Sequence, residues 1–191
     1  MENTLSGPEV LVLRLGHRAF RDKRVTTHLA LAARALGAQG IFIQGDPDES
    51  LLMSIREVVD KWGGHFRAEL VKDWETLVKG LKGEGCLIVH LTMYGLPFEK
   101  YMDEVRRVSS KILLVVGGKK VPWEAYQLAD LNLAITGQPH SEISALSLFL
   151  DRLYEGKELE LRFENPRFVI SPSTRGKVLL SRTDDGEGSP K

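Results

Sequence analysis

Six short apolar segments of strand length, with helical patterns between them, recur along this 191-residue chain, and nothing else in it restricts the fold so strongly. They are VLVLRL (10–15), GIFIQG (40–45), FRAELV (66–71), CLIVHLT (86–92), KILLVVGG (111–118) and LNLAIT (131–136). Several contain unbroken apolar runs, such as CLIV and ILLVV, as expected of strands in a sheet covered on both faces. The intervening segments repeat at helical spacing. Leu29, Ala32, Ala33 and Leu36 share a stripe over 27–37, and Leu52, Ile55, Val59 and Trp62 share one over 49–64; both segments end at glycine, the residue favoured just past a helix terminus. Residues 73–81, 97–109 and 141–155 behave alike, with Ile143, Leu146, Leu150 and Leu153 on one face of the last. The pattern predicts an α/β protein: an open, mostly parallel sheet with helices on both faces.

A chain of this length suits one domain, taken here as residues 9–180, with 1–8 and 181–191 as flexible ends. The segment from Glu160 to Arg182 is broken by Pro166 and Pro172 and reads as a tail lying on the surface or on a partner subunit. No apolar run approaches the roughly 20 residues that span a bilayer, and the first residues lack the basic and apolar regions of a secretory signal, so a cytoplasmic protein is expected. The single cysteine, Cys86, cannot form an intrachain disulfide and sits in an apolar run as a small hydrophobe.

Lys and Arg number 26, and so do Asp and Glu, which argues against a polybasic coat for nucleic acid. Against that balance, residues 13–28 (LRLGHRAFRDKRVTTH) concentrate Arg14, Arg18, Arg21, Lys23 and Arg24 with His17 and His28, opposed only by Asp22. Such a run is ordinarily a solvated turn; it is also what a phosphate-rich partner would require.

Ligands of open α/β sheets gather at the carboxyl ends of the strands. Three loops there are unusual. HLTMYGLP, after the fourth strand, offers an apolar and aromatic lining with Tyr94. VVGGKKVP, after the fifth, has Gly117 and Gly118, which let backbone approach a ligand closely. ITGQPHSEISAL, after the sixth, has Ser141 as a helix N-cap, with amides that can receive an acceptor. Each alone is also an ordinary connection; together they suit an adenosine-containing molecule. GLKGEG (80–85) precedes a strand, whereas a dinucleotide fingerprint follows one, and no P-loop is present. The five histidines show no metal-ligand spacing, so no metal is assigned.

RDKRVTTH, HLTMYG, QPHSE and the late TRGK, in their flanking sequence over roughly residues 9–180, resemble the archaeal tRNA cytidine 2′-O-methyltransferases of the SPOUT superfamily, which act at position 56 in the TΨC loop. The resemblance implies a C-terminal deep trefoil knot, a homodimer with catalytic residues near the subunit interface, tRNA as partner with neither DNA nor membrane, and S-adenosylmethionine as methyl donor. It implies cofactor contacts at Leu91; at Val116, Gly117, Gly118, Lys119 and Lys120; and at Ala134, Ile135, Thr136, Gly137, Gln138, Pro139, His140 and Ser141. Lys119 stands where the family commonly has glutamate, and Thr136-Gly137 where glycine and asparagine are expected.

A ribose hydroxyl is a poor nucleophile at neutral pH. Alignment of oxygen, methyl carbon and sulfur in a dry site can supply about 7–11 kcal/mol of the barrier. A guanidinium beside the developing alkoxide can supply more. From the resemblance, Arg24 takes the catalytic role with Arg18 as its alternate; Arg14, Arg21 and Lys23 are assigned to phosphates, and Tyr94 and His140 to the splayed-out nucleotide. Two other readings stay open: a related enzyme acting on another RNA such as ribosomal RNA, and a knotted RNA-binding module that no longer transfers methyl.

Overall fold

The computed structural model describes residues 5–108, 110–118 and 120–181, together with the backbone of residues 189–190. Strands β1 (Glu9–His17), β2 (Gly40–Gly45), β3 (Arg67–Val71), β4 (Leu87–Pro97), β5 (Lys111–Gly117) and β6 (Leu131–Ala134) form one sheet in the order β3-β2-β1-β5-β4-β6, with every neighbouring pair parallel. Because successive strand residues face opposite sides, the apolar runs feed two cores. Val10, Val12, Ile112, Leu114 and Val116 belong to one. Leu13, Leu15, Leu113 and Val115 belong to the other.

The first core is covered by α1 (Ala19–Ala35), α2 (Glu49–Trp62), α4 (Met102–Val108) and α6 (Glu142–Tyr154), through residues such as Leu29, Leu51, Met102 and Phe149. The second is covered by α3 (Trp74–Gly83) and α5 (Trp123–Leu128), through Trp74, Val78 and Ala125. A fully buried Leu or Phe of this kind stabilises the fold by about 1.5–3 kcal/mol relative to an exposed one. Side-chain caps fix the helix starts: Asp48 accepts from the Leu51 amide at 2.9 Å, Asp73 from Thr76 at 3.0 Å and Ser141 from Ser144 at 3.1 Å. At the end of α2, Gly63 takes φ 76°, a conformation that a side chain would strain.

Two departures from the sequence reading bear on the site. Helix α1 begins at Ala19, well ahead of the 27–37 stripe, where the Asp46 carboxylate, from the loop after β2, accepts the Ala19 amide at 3.1 Å. Arg21, Lys23 and Arg24 therefore ride on a helix and not in a loop. Strand β4 continues to Pro97 past an irregularity, so that Leu133 of β6 pairs first with Leu91 and again with Leu96. There Gly95 lies against β6 backbone: a Cβ on it would fall 2.6 Å from the Asn132 carbonyl oxygen.

The C-terminal segment packs on the chain's own surface. Arg34, buried in α1, places its guanidinium 4.1 Å from the centre of the Phe163 ring and donates to the Gly63 carbonyl. The Gly64 amide donates to Glu164 and the Arg167 amide to Lys61. Beyond them β7 (Phe168–Ser171) and β8 (Val178–Ser181) form an antiparallel hairpin, joined by β9 (Ser189–Pro190). At the other end, Leu5 packs on the core and the Pro8 carbonyl accepts from the Tyr154 hydroxyl at 3.0 Å, so the packed chain begins ahead of residue 9. The expected flexible end falls largely outside the described residues.

Candidate active site

The carboxyl ends of β4 and β5 and the start of α6 enclose a cleft of about 290 Å³. One wall is His90, Leu91, Thr92, Met93 and Tyr94 of β4. A second is Val116, Gly117, Gly118, Lys120 and Val121 of the β5–α5 connection, with Tyr126 of α5. The third is His140, Ser141, Glu142 and Ala145. The connection stays close to the sheet because glycine permits it: a Cβ on Gly117 would lie 2.5 Å from the Val121 side chain. The first amides of α6 point outward from a helix start that has partial positive charge.

Next to Gly118 lies a partly buried ion pair. Arg14, 2% exposed, sets Nη2 3.3 Å from Glu142 Oε1, and its Nη1 donates to the Leu15 carbonyl at 3.1 Å. Its Nε has no partner among the described residues. A Cβ on Gly118 would be 3.6 Å from the Glu142 carboxylate and 3.7 Å from Arg14 Nη2, in ordinary contact with both. This corrects the phosphate assignment of Arg14: its guanidinium is enclosed by the fold, not offered to an external backbone.

His90 is wholly buried, with Nδ1 2.8 Å from Asn132 Oδ1. Asn132 donates its own amide nitrogen to the Tyr126 carbonyl at 3.0 Å, so its oxygen is the acceptor and His90 Nδ1 carries the hydrogen. Burial pushes the His90 pKa down, which keeps the ring neutral. Burial likewise lowers His17, whose Nδ1 shares a hydrogen bond with Thr26 Oγ1 at 2.9 Å, with Asp48 beside its other nitrogen.

Of the residues assigned to the cofactor, Leu91, Val116, Gly117, Gly118, Lys120, His140 and Ser141 meet at this cleft, as does Tyr94. Ala134 and Ile135 are packed toward the core, Thr136 to Pro139 form the exposed turn above β6, and none of these six lines it. Lys119 lies outside the described residues. His90, Val121, Tyr126, Glu142 and Ala145 were not singled out from the sequence for this cleft; for Tyr126 the only signal was its place one turn beyond Trp123.

The two candidate catalytic arginines are elsewhere on the chain's surface. Arg18 precedes α1 and holds Asp22 with two hydrogen bonds, of 2.8 and 3.1 Å, which lower the Asp22 pKa. Arg24 is exposed on α1 in a shallow hollow with Phe20, Arg21, Lys23, Thr27 and His28, distinct from the cleft. Phe20 there is fully exposed. Cys86 is buried, and burial raises its thiol to about 11, so it is no nucleophile. Among the described residues no three His, Cys, Asp or Glu gather as metal ligands, and no helix is long and apolar enough to cross a membrane.

The fold is that of the SpoU-type methyltransferases. The TrmH/SpoU tRNA modifying enzyme of A. aeolicus superposes with a TM-score of 0.58 at 13% identity, covering 82% of this chain and 79% of that one. AviRb of Streptomyces viridochromogenes, solved in complex with AdoMet, superposes at 0.57 and 14% identity, covering 80% and 60%. Within that class sequence is more specific. Residues 62–180 match the family described as tRNA ribose 2′-O-methyltransferase, aTrm56. The tRNA (cytidine(56)-2′-O)-methyltransferase of Methanopyrus kandleri is 51% identical over 90% of this chain and 96% of its own length, and that of Staphylothermus marinus 49% identical over 94% and 97%. The chain belongs to the aTrm56 family of tRNA ribose 2′-O-methyltransferases.

Proposed function

We propose that this protein transfers a methyl group from S-adenosylmethionine to the ribose 2′-hydroxyl of cytidine 56 in tRNA. The observation that carries this reading is the convergence of three loops, distant in sequence, on one cleft whose glycine-built wall and helix start suit a nucleoside carrying a carboxylate. Gly117, Gly118, Leu91 and the α6 amides would hold the cofactor, which supplies an electrophilic methyl group. Arg14 holds Glu142, which lines the cleft, and Tyr94, 81% exposed in the same lining, would face the nucleotide.

The reading also assigns Arg24 to the developing alkoxide, with Arg18 as alternate, and Arg21 and Lys23 to tRNA phosphates. On a single chain these side chains lie away from the cleft, which favours a homodimer in which α1 of one subunit serves the cleft of the other; the exposed Phe20 on α1 supports that arrangement. We infer as well that the double pairing of Leu133 with Leu91 and Leu96 belongs to a trefoil knot, an exception to the usual unthreaded topology. Its expected cellular site is the cytoplasm, where tRNA is processed.

The test is to incubate the protein with an unmodified tRNA transcript and labelled methyl donor and to map the label. Methyl on the 2′-oxygen of cytidine 56 is expected; label elsewhere refutes the substrate. Arg24→Ala is expected to lower turnover by about 100-fold or more with cofactor affinity near normal in calorimetry, and unchanged turnover would remove Arg24 from the chemistry.

A further inference from the structure

We propose that Trp123 is a stacking platform for an unpaired nucleobase of the bound tRNA, extending the aromatic wall of the cleft outward. This rests on the reading of the chain as a tRNA methyltransferase. Trp123 opens α5 immediately after the connection that forms the second wall, and the residue is 67% exposed. Single exposed apolar residues are common and by themselves mean little. This one is held in place.

Its indole stacks on Tyr126 with ring centres 5.8 Å apart and planes inclined by 22°. Tyr126 is in turn fixed from three directions. The buried His90 ring meets it edge to face at 4.6 Å, its hydroxyl shares a hydrogen bond of 3.0 Å with Thr92, and its carbonyl accepts from Asn132. His90, Thr92 and Tyr126 all line the cleft. A ladder of aromatic rings therefore runs from the buried β4 strand to solvent, and its last member, stacked on Tyr126, keeps two thirds of its surface exposed.

An aromatic side chain already set in position loses little freedom when a flat ligand lands on it. Unstacked RNA bases are flat, apolar on their faces and commonly held this way. Glu124, exposed and next to Trp123 in the chain, disfavours a phosphate there, while Lys120, exposed in the lining of the cleft, can receive one.

The experiment measures tRNA affinity, cofactor affinity and molecular mass for wild type, Trp123→Ala and Trp123→Phe. The expected result is a tRNA Kd about tenfold weaker for Trp123→Ala, a smaller loss for Trp123→Phe, and cofactor affinity and mass unchanged for both. Quenching of indole emission on tRNA addition should be present in wild type and reduced in Trp123→Phe. Unchanged tRNA affinity in Trp123→Ala, with wild type binding normally, overturns this proposal alone. An altered mass overturns it in favour of a second copy of the chain seated on the indole. Failure of wild type to bind tRNA overturns it together with the substrate reading beneath it.

Discussion

Arg14 and Glu142 show how a single partly buried pair bears on the site. The Arg14 side chain is 3% exposed and that of Glu142 23%, so neither charge is fully hydrated, and each is tolerated because the other is 3.3 Å away. Removing one partner leaves the other charge stranded. Glu142→Gln, or Arg14→Met alone, is expected to cost about 2–3 kcal/mol in urea unfolding, toward the low end for buried pairs because Glu142 keeps some water. The double variant should lose clearly less than the sum of the two; strict additivity would show that the pair is not coupled. The sequence revealed Arg14 as one of a basic cluster but not that it points inward. Which way an arginine within a strand turns depends on what packs over it, and here that is the first turn of a helix far along the chain.

At the scale of elements, the apolar periodicity marked all six strands of the main sheet and the principal helices, because side-chain alternation and helical spacing are local properties of the backbone. The boundaries that failed were those decided by distant partners. Helix α1 starts early because Asp46 caps it from another loop. The segment from Met93 to Leu96 reads as a loop, yet belongs to β4 because β6 runs against it. That crossing is tight at Gly95, where a side chain would meet the backbone of Asn132 and Leu133 at 2.6 Å. Backbone cannot move aside as a side-chain tip can. Gly95→Ala is thus expected to destabilise the fold by about 2 kcal/mol, a fall in Tm of roughly 4–8 °C for a chain of this size. A melt within 1 °C of wild type, roughly the scatter of such measurements, would mean that the two strands part readily.

For the whole molecule, the buried histidines tie stability to pH. His17 and His90 are both lowered from 6.5 by burial. In the range between their folded values and 6.5 the unfolded chain binds more protons than the folded one, so stability falls as pH drops below about 6.5. Burial raises the Glu158 carboxyl, which acts in the opposite sense from 4.5 upward. Thermal melts from pH 8 to 5 should show Tm declining below pH 6.5. His90→Asn, which keeps a donor toward Asn132, should be less stable throughout yet flatter with pH. An undiminished slope in that variant would mean that His90 is not among the groups responsible.

The sequence by itself determined the alternation of strands and helices, the covering of both sheet faces, the three glycine- and serine-bearing loops and the family. All of these are written in short spans whose chemistry is local. Only the tertiary structure decided that Arg14 faces Glu142, that Tyr126 and Trp123 extend the cleft wall, and that the basic face of α1 lies apart from the cleft on its own chain. The reason is strand order: β1 lies beside β5, and β6 beside β4. Which loop ends meet follows from that non-local pairing, and short-range spacing carries no record of it.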